Sequence, residues 1–227
     1  MTALIPVGTT PDLADLAQLS RRFEDAPAEE IVAWAADTFG TGIVLASSFQ
    51  DCVLLDLALG VAPDLEVVFL DTGFHFAETM WFADRVKERY RMNLTVMHPA
   101  VEVGDLWQLD VDSCCHARKV EPLARALEGR AAWMTAVRRV EAPTRATTPI
   151  VSFDVGRGLV KVNPIATWSD ARVDAYIADH DLPVHPLVDR GYPSIGCWPC
   201  TRPVAPGEDP RAGRWSGQSK TECGLHA

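Results

Sequence analysis

The chain has 227 residues, 48% hydrophobic and 23% charged, a composition typical of a globular protein and not of a disordered one. Its 21 basic and 31 acidic residues give a net charge of −10, which argues against a broad nucleic-acid-binding face. We expect a cytoplasmic protein without a membrane segment, because no apolar run approaches roughly 18 residues and no signal peptide begins the chain.

Short apolar segments alternate with amphipathic segments over most of the chain. Residues 1–40 are expected to be helical, because their apolar positions recur at helical spacing. Buried strands are predicted over residues 42–48, 65–73, 93–99 and 131–137, followed by a hairpin of residues 148–154 and 158–165. Helices are predicted over residues 49–59, 74–91, 114–129 and 168–181, the last with Ser169 as its N-cap.

This alternation predicts an α/β fold, a parallel twisted sheet with helices on both faces. Ligands of such sheets usually bind at the carboxyl ends of the strands. We therefore expect the functional site where the chain places Ser47-Ser48, Asp71-Thr72-Gly73 and Arg138-Arg139.

The pattern changes from about Leu187, where glycine and proline become frequent and periodicity is lost. Such a segment cannot build a core of its own, so it is either a disordered tail or is pinned by something other than apolar packing. We divide the chain into an N-terminal helical segment (1–40), an α/β domain (41–186) and an irregular C-terminal segment (187–227).

Four of the six cysteines form two close pairs, Cys114-Cys115 and Cys197-x-x-Cys200. Four thiolates in two short-spaced pairs can hold a tetrahedral zinc ion or an iron–sulfur cluster, and two pairs of unliganded thiols are the alternative. Zinc sites usually use repeated C-x-x-C pairs, whereas two consecutive thiolates can reach two corners of a 4Fe–4S cluster. The adjacent pair therefore favours the cluster without deciding it.

Cys223 lies four residues from the end of the sequence, within the run from Lys220 to His226. It is either a stray exposed thiol or a mobile nucleophile whose thiolate is favoured by Lys220 and His226. Cys52 is interpreted as a small core residue within the helix predicted over 49–59.

These motifs together resemble the assimilatory adenylyl-sulfate reductases, the cluster-containing branch of the phosphoadenylyl-/adenylyl-sulfate reductase family. The resemblance runs from about Phe39 to the C-terminus. It is carried by four motifs: Cys114-Cys-His-Ala-Arg-Lys119, Cys197-x-x-Cys200, Gly213-Arg-Trp215 and Lys220-Thr-Glu-Cys-Gly-Leu-His226.

The resemblance implies an adenine-nucleotide-hydrolase-like fold related to the N-type (PP-loop) ATP pyrophosphatases. It implies reduction of adenosine 5′-phosphosulfate to sulfite and AMP in sulfate assimilation, with thioredoxin as electron donor. It makes residues 41–186 a nucleotide-binding domain and 187–227 a cluster-binding loop followed by a mobile catalytic tail. Both cysteine pairs are present, which places the chain in the branch that uses the substrate without a 3′-phosphate.

The resemblance also implies roles for individual residues. Cys223 matches the nucleophile, and Lys119 matches the lysine between cluster and substrate. A 4Fe–4S cluster is implied on Cys114, Cys115, Cys197 and Cys200. The residues expected to contact the substrate are Arg138, Arg211, Arg214 and His226.

The nucleotide half of the site is expected after the first two strands. Backbone amides and hydroxyls of Ser47, Ser48 and Gln50 open a predicted helix and can cradle an anion. Leu70, Thr72 and Gly73 are our predicted adenosine contacts. The S-G-G-x-D-S loop of the related ATP pyrophosphatases is missing here, which argues against ATP hydrolysis.

The chemistry is consistent with these roles. A thiolate of Cys223 can attack the sulfur of a phosphate–sulfate anhydride, leaving a Cys223 S-sulfonate and AMP, and a donor thiol can then release sulfite. Because thiols supply all the electrons, we hypothesise that the cluster keeps one oxidation state and acts electrostatically through Lys119. Cations must gather around the phosphosulfate, and several lie near the motifs: Arg118, Lys119, Arg138, Arg139, Arg145, Arg211, Arg214 and Lys220.

Two other functions stay open at this point. One is an ATP-dependent adenylating or thiolating enzyme of related fold, and the other is a non-catalytic, zinc-stabilised interaction domain. The sequence leaves the oligomeric state undecided, a homo-oligomer included.

Overall fold

Helices and strands alternate along most of the chain. The computed structural model describes residues 12–218 and 220–226. The helices are α1 (Leu13–Arg22), α2 (Ala28–Phe39), α3 (Val53–Val61), α4 (Ala77–Tyr90), α5 (Val111–Cys115), α6 (Glu121–Leu127) and α7 (Asp170–Asp179). The strands are β1 (Ile43–Ser47), β2 (Glu66–Leu70), β3 (Asn93–Met97), β4 (Ala132–Thr135), β5 (Val151–Asp154) and β6 (Leu159–Val162).

The strands form one sheet in the order β3-β2-β1-β4-β6-β5. All neighbouring pairs are parallel except β5 and β6, which form the predicted antiparallel hairpin at the edge. Leu45 of β1 lies in register with Val67 of β2 on one side and Met134 of β4 on the other. The predicted α/β class with a mostly parallel sheet is confirmed.

Successive residues of the central strands point to opposite faces of the sheet. Ile43 and Leu45 belong to the larger core, which is shared with α1 to α4 and α7. Val44 lies between them and belongs to a smaller core with Leu123 and Leu127 of α6. Both faces are therefore covered by helices, as predicted.

The order of the strands reverses at β1, which has β2 on one side and β4 on the other. The chain segments that follow β1 and β4 therefore leave the sheet in opposite directions. A crevice opens between them at the carboxyl ends of the two strands, Ser47 and Thr135. Ligands of open α/β sheets bind at such a point.

The helix predicted over 49–59 begins later, at Val53. Phe49 has a left-handed backbone (φ 54°), and the Asp51 carboxylate accepts a hydrogen bond from the Val53 amide, so residues before Val53 form a turn. Cys52 therefore precedes the helix, and its predicted place within the helix was wrong, although it is buried as expected. The helix predicted from residue 74 likewise begins only at Ala77.

The N-terminal and α7 predictions agree with the described residues. Helices α1 and α2 account for residues 13–22 and 28–39 of the predicted helical segment, with a turn between them, and residues 1–11 lie outside the described residues. Ser169 caps α7, because its hydroxyl accepts a hydrogen bond from the Arg172 amide (3.2 Å). Arg139, expected among the cations of the site, instead forms a bidentate pair with Glu24 and ties the N-terminal helices to the sheet.

The irregular C-terminal segment is pinned to the domain largely through backbone hydrogen bonds. Ile195 N–H donates to the Gln50 side chain (2.9 Å), and Trp198 N–H donates to the Phe74 carbonyl (2.8 Å). An antiparallel bridge joins Thr201 to Arg214. Of the two alternatives, pinning is thus the one that the structure supports.

None of the helices in residues 12–218 and 220–226 is both long enough and apolar enough to cross a membrane.

His185 is a buried histidine outside the crevice. It contacts the Thr79 hydroxyl through Nε2 (3.0 Å), and its Nδ1 accepts a hydrogen bond from the Leu187 amide (3.1 Å). Burial lowers the pKa of His185 to about 4 from an ordinary value of 6.5. The unfolded chain therefore binds the extra proton first, and stability falls as the pH drops from 6.5 towards 4.

We predict that lowering the pH from 7 to 5 costs the wild type about 2 kcal/mol more unfolding free energy than it costs His185→Asn. Asparagine can accept the Leu187 hydrogen bond but does not titrate. Urea unfolding of both proteins at the two pH values measures this difference. Equal losses in the two proteins would contradict the assignment.

Candidate active site

A π-helical turn connects α5 to α6 and carries the first group of site residues. It spans His116–Val120 and follows directly on Cys114 and Cys115. The predicted helix over 114–129 is therefore interrupted by a wider turn, a feature common at functional sites. The i, i+4 pairs Cys114/Arg118 and Cys115/Lys119 line the same cavity.

The C-terminal segment closes this cavity and brings the second cysteine pair to it. Cys197 and Cys200 lie on its wall, so all four cysteines of the two motifs line one small cavity of about 20 Å³. Within residues 12–218 and 220–226, no three Cys, His, Asp or Glu side chains are grouped as ligands of one metal ion would be. The other lining residues are Phe74, Trp107, Val111, Arg118, Lys119, Pro199, Arg214 and Trp215.

Burial and charge shape the chemistry of these thiols. Burial raises the pKa of Cys114, Cys115 and Cys200, that of Cys115 to about 11. Burial also opposes the charge on Lys119, but the nearby sulfur atoms of Cys197 and Cys223 outweigh it and raise the lysine pKa. The cavity therefore couples buried thiols to a cation.

Three donors at the cavity have no partner. Among the described side chains, Trp107 Nε1, Arg118 Nε and Arg214 Nε are buried without a hydrogen-bond acceptor. Buried donors are normally satisfied, so three of them on one cavity wall call for an occupant rich in acceptors. The thiolates and sulfides of an iron–sulfur cluster are such acceptors, and the residues present therefore fit this cofactor.

Arg118 is fixed by the carboxyl end of β2. Its guanidinium donates to the carbonyls of Thr72 and Gly104 and lies 3.8 Å from the centre of the Phe74 ring. The thiol of Cys197 donates to the Thr72 hydroxyl (3.3 Å). Thr72, predicted as an adenosine contact, thus touches the cysteine cavity and connects both halves of the site.

Arg214 reaches the cavity past Gly196, and both Gly196 and Gly213 leave no room for a side chain. Its guanidinium donates to the Ser194 hydroxyl (3.2 Å) and to the Ile195 carbonyl (3.3 Å). A Cβ on Gly196 would lie 2.3 Å from the guanidinium, whereas a Cβ on Gly213 would lie 2.2 Å from the backbone oxygen of Arg202.

The C-terminal residues pack over this edge of the sheet. Leu225 contacts the smaller core, and the His226 ring stacks on Trp133 with centroids 5.7 Å apart. Burial and the neighbouring Lys161 and Arg145 hold the pKa of His226 well below its ordinary value, so the ring is neutral. Gly224 has a left-handed backbone (φ 82°) and turns the chain between Cys223 and these contacts.

The half-buried Cys223 thiol lies close enough to Lys119 and Arg214 for its charge to favour the protonated form of each. The cations predicted from sequence to favour its thiolate have other positions. Lys220 pairs with Asp112, and His226 is the neutral ring on Trp133.

The end of β1 supplies a polar turn. The Ser47 hydroxyl accepts a hydrogen bond from the Phe49 amide (3.2 Å), and Ser48 is exposed. The side-chain oxygen of Gln50 is occupied by the Ile195 amide, so it anchors the C-terminal segment.

The remaining predicted residues lie at the ends of β2 and β4 and in the C-terminal segment. Leu70 packs on the smaller core, and Gly73 has a left-handed backbone (φ 70°) in the turn after β2. The guanidinium of Arg138 pairs with Asp170 (2.8 Å). Arg211 donates to the Thr221 carbonyl (3.0 Å) and so contacts the tail.

Three residues of the site were missed by sequence reasoning. Trp133 and Lys161 lie on neighbouring strands, with the ammonium 5.0 Å from the indole centre, and burial lowers the pKa of Lys161 to about 8. Only the register of β4 and β6 brings them together, so no linear motif marks them. Glu222 was overlooked although it adjoins Cys223, because an acidic residue did not fit a search for cations.

Comparison with known proteins identifies the family. Residues 42–203 match the phosphoadenosine phosphosulfate reductase domain. The chain is 48% identical to an adenosine 5′-phosphosulfate reductase of Rhodococcus opacus, covering 100% of both chains. It is 49% identical to the protein of that name from Mycobacteroides abscessus, covering 96% of this chain and 98% of the other.

Solved structures agree. A phosphoadenylyl-sulfate reductase from Candida auris superposes with a TM-score of 0.76 at 27% identity, covering 86% of this chain and 99% of that one. The FMN adenylyltransferase of Candida glabrata shares the fold alone, with a TM-score of 0.59 at 16% identity over 89% of this chain and 76% of the other. The predicted resemblance is confirmed, and the chain belongs to the phosphoadenosine phosphosulfate reductase family.

Proposed function

We propose that this protein reduces adenosine 5′-phosphosulfate to sulfite and AMP in sulfate assimilation. The observation that carries the proposal is that Cys223 lies within electrostatic range of Lys119 and Arg214, two cations that line the cavity of the four other motif cysteines. The names of the full-length relatives support the substrate without a 3′-phosphate.

Several cations would bind the phosphosulfate. Lys119 and Arg214 lie within electrostatic range of Cys223, and Arg211 contacts the Thr221 backbone two residues before it, so an anion held by these residues would lie near the thiol. Arg138 and the turn of Ser47, Ser48 and Gln50 lie at the ends of β4 and β1, where the rest of the nucleotide would extend. Leu70, Thr72 and Gly73 would contact the adenosine from the end of β2, and His226 would cover the site from the tail.

In the first step, the thiolate of Cys223 attacks the sulfur atom of the substrate. A bond forms between Cys223 Sγ and the sulfuryl sulfur, and the bond from that sulfur to the bridging oxygen breaks. AMP leaves with the electron pair, and Cys223 becomes an S-sulfonate. Lys119 and Arg214 stabilise the negative charge of the attacking and leaving groups.

In the second step, a dithiol protein of the thioredoxin type completes the reduction. One donor thiolate attacks Cys223 Sγ, which releases sulfite and leaves a mixed disulfide. The second donor thiolate then displaces the Cys223 thiolate. The donor thereby loses two electrons and becomes a disulfide. The tail must expose Cys223 for this step, and the turn at Gly224 provides a place where it can move.

Cys114, Cys115, Cys197 and Cys200 would hold a 4Fe–4S cluster at the cavity. When bound, the cluster would supply an electrostatic field at the site. Its own oxidation state would stay fixed, because thiols provide all the electrons. Arg118, Arg214 and Trp107 have the unpaired donors to hydrogen-bond its sulfur atoms. The buried positive charges offset the cost of four buried thiolates.

Cys223→Ser tests the nucleophile. We expect sulfite formation to fall below detection, because a serine hydroxyl is not ionised at neutral pH, while the visible absorbance of the cofactor stays unchanged. A sulfite-release assay with adenosine 5′-phosphosulfate and a dithiol donor measures the first, with Cys52→Ala as the matched control. Persistent turnover in Cys223→Ser would remove Cys223 from the mechanism.

Metal analysis tests the cofactor. Protein purified without oxygen should contain about four iron and four labile sulfide per chain. Cys197→Ser should lose most of both, whereas Cys52→Ala, which changes a cysteine away from the cavity, should keep them. Zinc without iron or labile sulfide would contradict the cluster and favour a zinc-stabilised domain.

Two glycine variants separate the binding and structural roles of the segment around Arg214. Gly196→Ala should displace the guanidinium and weaken nucleotide binding roughly tenfold with little loss of stability, because the flexible end of the arginine can move. Gly213→Ala should cost at least about 2 kcal/mol of stability, because its Cβ meets backbone.

Nucleotide affinity is measured in the Cys223→Ser background, where substrate is not consumed, and stability by thermal unfolding. Unchanged affinity in Gly196→Ala would contradict the role of Arg214.

A further inference from the structure

Glu222, immediately before Cys223, carries the densest set of polar contacts in the described part of the tail. Its carboxylate accepts two hydrogen bonds from the Arg145 guanidinium, one from Nε (2.8 Å) and one from a terminal nitrogen (2.7 Å). The Thr144 hydroxyl (3.1 Å) and Arg211 (3.4 Å) complete the set. Bidentate pairs of this kind are among the stronger polar contacts in proteins.

The partner of Glu222 is itself fixed. Arg145 ends the short 3-10 turn Pro143–Arg145 in the connection between β4 and β5, and it also pairs with Glu141. Its side chain and that of Glu222 are both largely shielded from solvent, with relative exposures of 12% and 24%. Solvent screening therefore weakens this pair less than it would an exposed one.

Cys223 is held from both sides. On the N-terminal side Glu222 binds Arg145, and on the C-terminal side Leu225 and His226 pack on the sheet. Only the half-buried Cys223 and Gly224 lie between these anchors. Glu222 directly precedes Cys223. Release of the Glu222–Arg145 pair would therefore loosen the chain immediately before the thiol.

We propose that Glu222 is a positioning residue, which by pairing with Arg145 holds the Cys223 thiol near Lys119 and Arg214 and sets how often the tail leaves this position. This inference rests on the proposed function and extends it to a residue with no assigned role. The pair favours the docked tail that sulfur transfer needs, and it must open when the donor thiol reaches Cys223. Arg211 contacts both Glu222 and Thr221, so the same group that would bind the phosphosulfate also contacts the docked tail.

The test measures the accessibility of Cys223 in the holoenzyme without turnover. Iodoacetamide is added without oxygen, and alkylation of the Cys223 peptide is followed by mass spectrometry. Glu222→Gln, which keeps the shape and removes the charge, should raise the alkylation rate roughly tenfold. Arg145→Lys keeps the charge but loses the bidentate geometry, so it should raise the alkylation rate by less. The double variant should react only slightly faster than Glu222→Gln, because both changes break the same interaction.

Glu208→Gln is the matched control. Glu208 forms a similar bidentate pair with Arg202 in the same C-terminal segment, but on its exposed surface. In Glu208→Gln, the alkylation rate of Cys223 should equal that of the wild type. In single-turnover assays, Glu222→Gln should slow AMP release severalfold, while sulfite release from preformed Cys223 S-sulfonate by a dithiol should not slow.

The proposal is overturned if Glu222→Gln alkylates at the wild-type rate, if Glu208→Gln is accelerated equally, or if the effects of Glu222→Gln and Arg145→Lys multiply in the double variant. Alkylation requires no catalysis, so these outcomes are independent of whether Cys223→Ser abolishes sulfite formation. Failure of the positioning role and failure of the proposed function are therefore distinguishable.

Discussion

Buried thiols and buried cations meet in one cavity at the carboxyl edge of the sheet, and each offsets part of the cost of burying the other. A desolvated ammonium group would ordinarily lose its proton more readily, yet the pKa of Lys119 is raised because sulfur atoms lie close to it. Four deprotonated thiols without the cations would be equally costly. The arrangement is therefore suited to a negatively charged, sulfur-rich cofactor next to an anionic substrate.

The fold supplies this arrangement from three separate parts of the chain. The π-helical turn after α5 carries one cysteine pair and two cations on one helix face. The bridged C-terminal segment brings the second pair, and Gly196 allows Arg214 to approach. The end of β2 fixes Arg118 and touches Cys197 through Thr72. Each part is anchored on the sheet edge where the strand order reverses.

Much of the fold could be predicted from sequence, because apolar runs and periodicity encode the strands and helices directly. The parallel sheet, its hairpin edge and the N-cap at Ser169 were confirmed. The predicted start of α3 was wrong. Phe49 has a left-handed backbone, but phenylalanine is not a residue type that indicates a turn in the sequence. The family was confirmed because its motifs are linear, whereas individual site residues stay predictions.

What sequence could not supply were contacts between distant segments. The stacking of His226 on Trp133 and the pairing of Glu222 with Arg145 depend on where the tail lies, and no local pattern encodes that. Charge counting also grouped Arg139 with the site cations, although Glu24 neutralises it elsewhere. Residue type alone does not reveal which cations already have partners.

The central claim is that Cys223 takes the sulfuryl group from the nucleotide. The most direct measurement is mass spectrometry of the anaerobic holoenzyme after incubation with adenosine 5′-phosphosulfate and no thiol donor. The account predicts that the Cys223 peptide gains one SO3 group while an equal amount of AMP is released. Release of AMP with Cys223 unmodified, or an SO3 group on another cysteine, would contradict it.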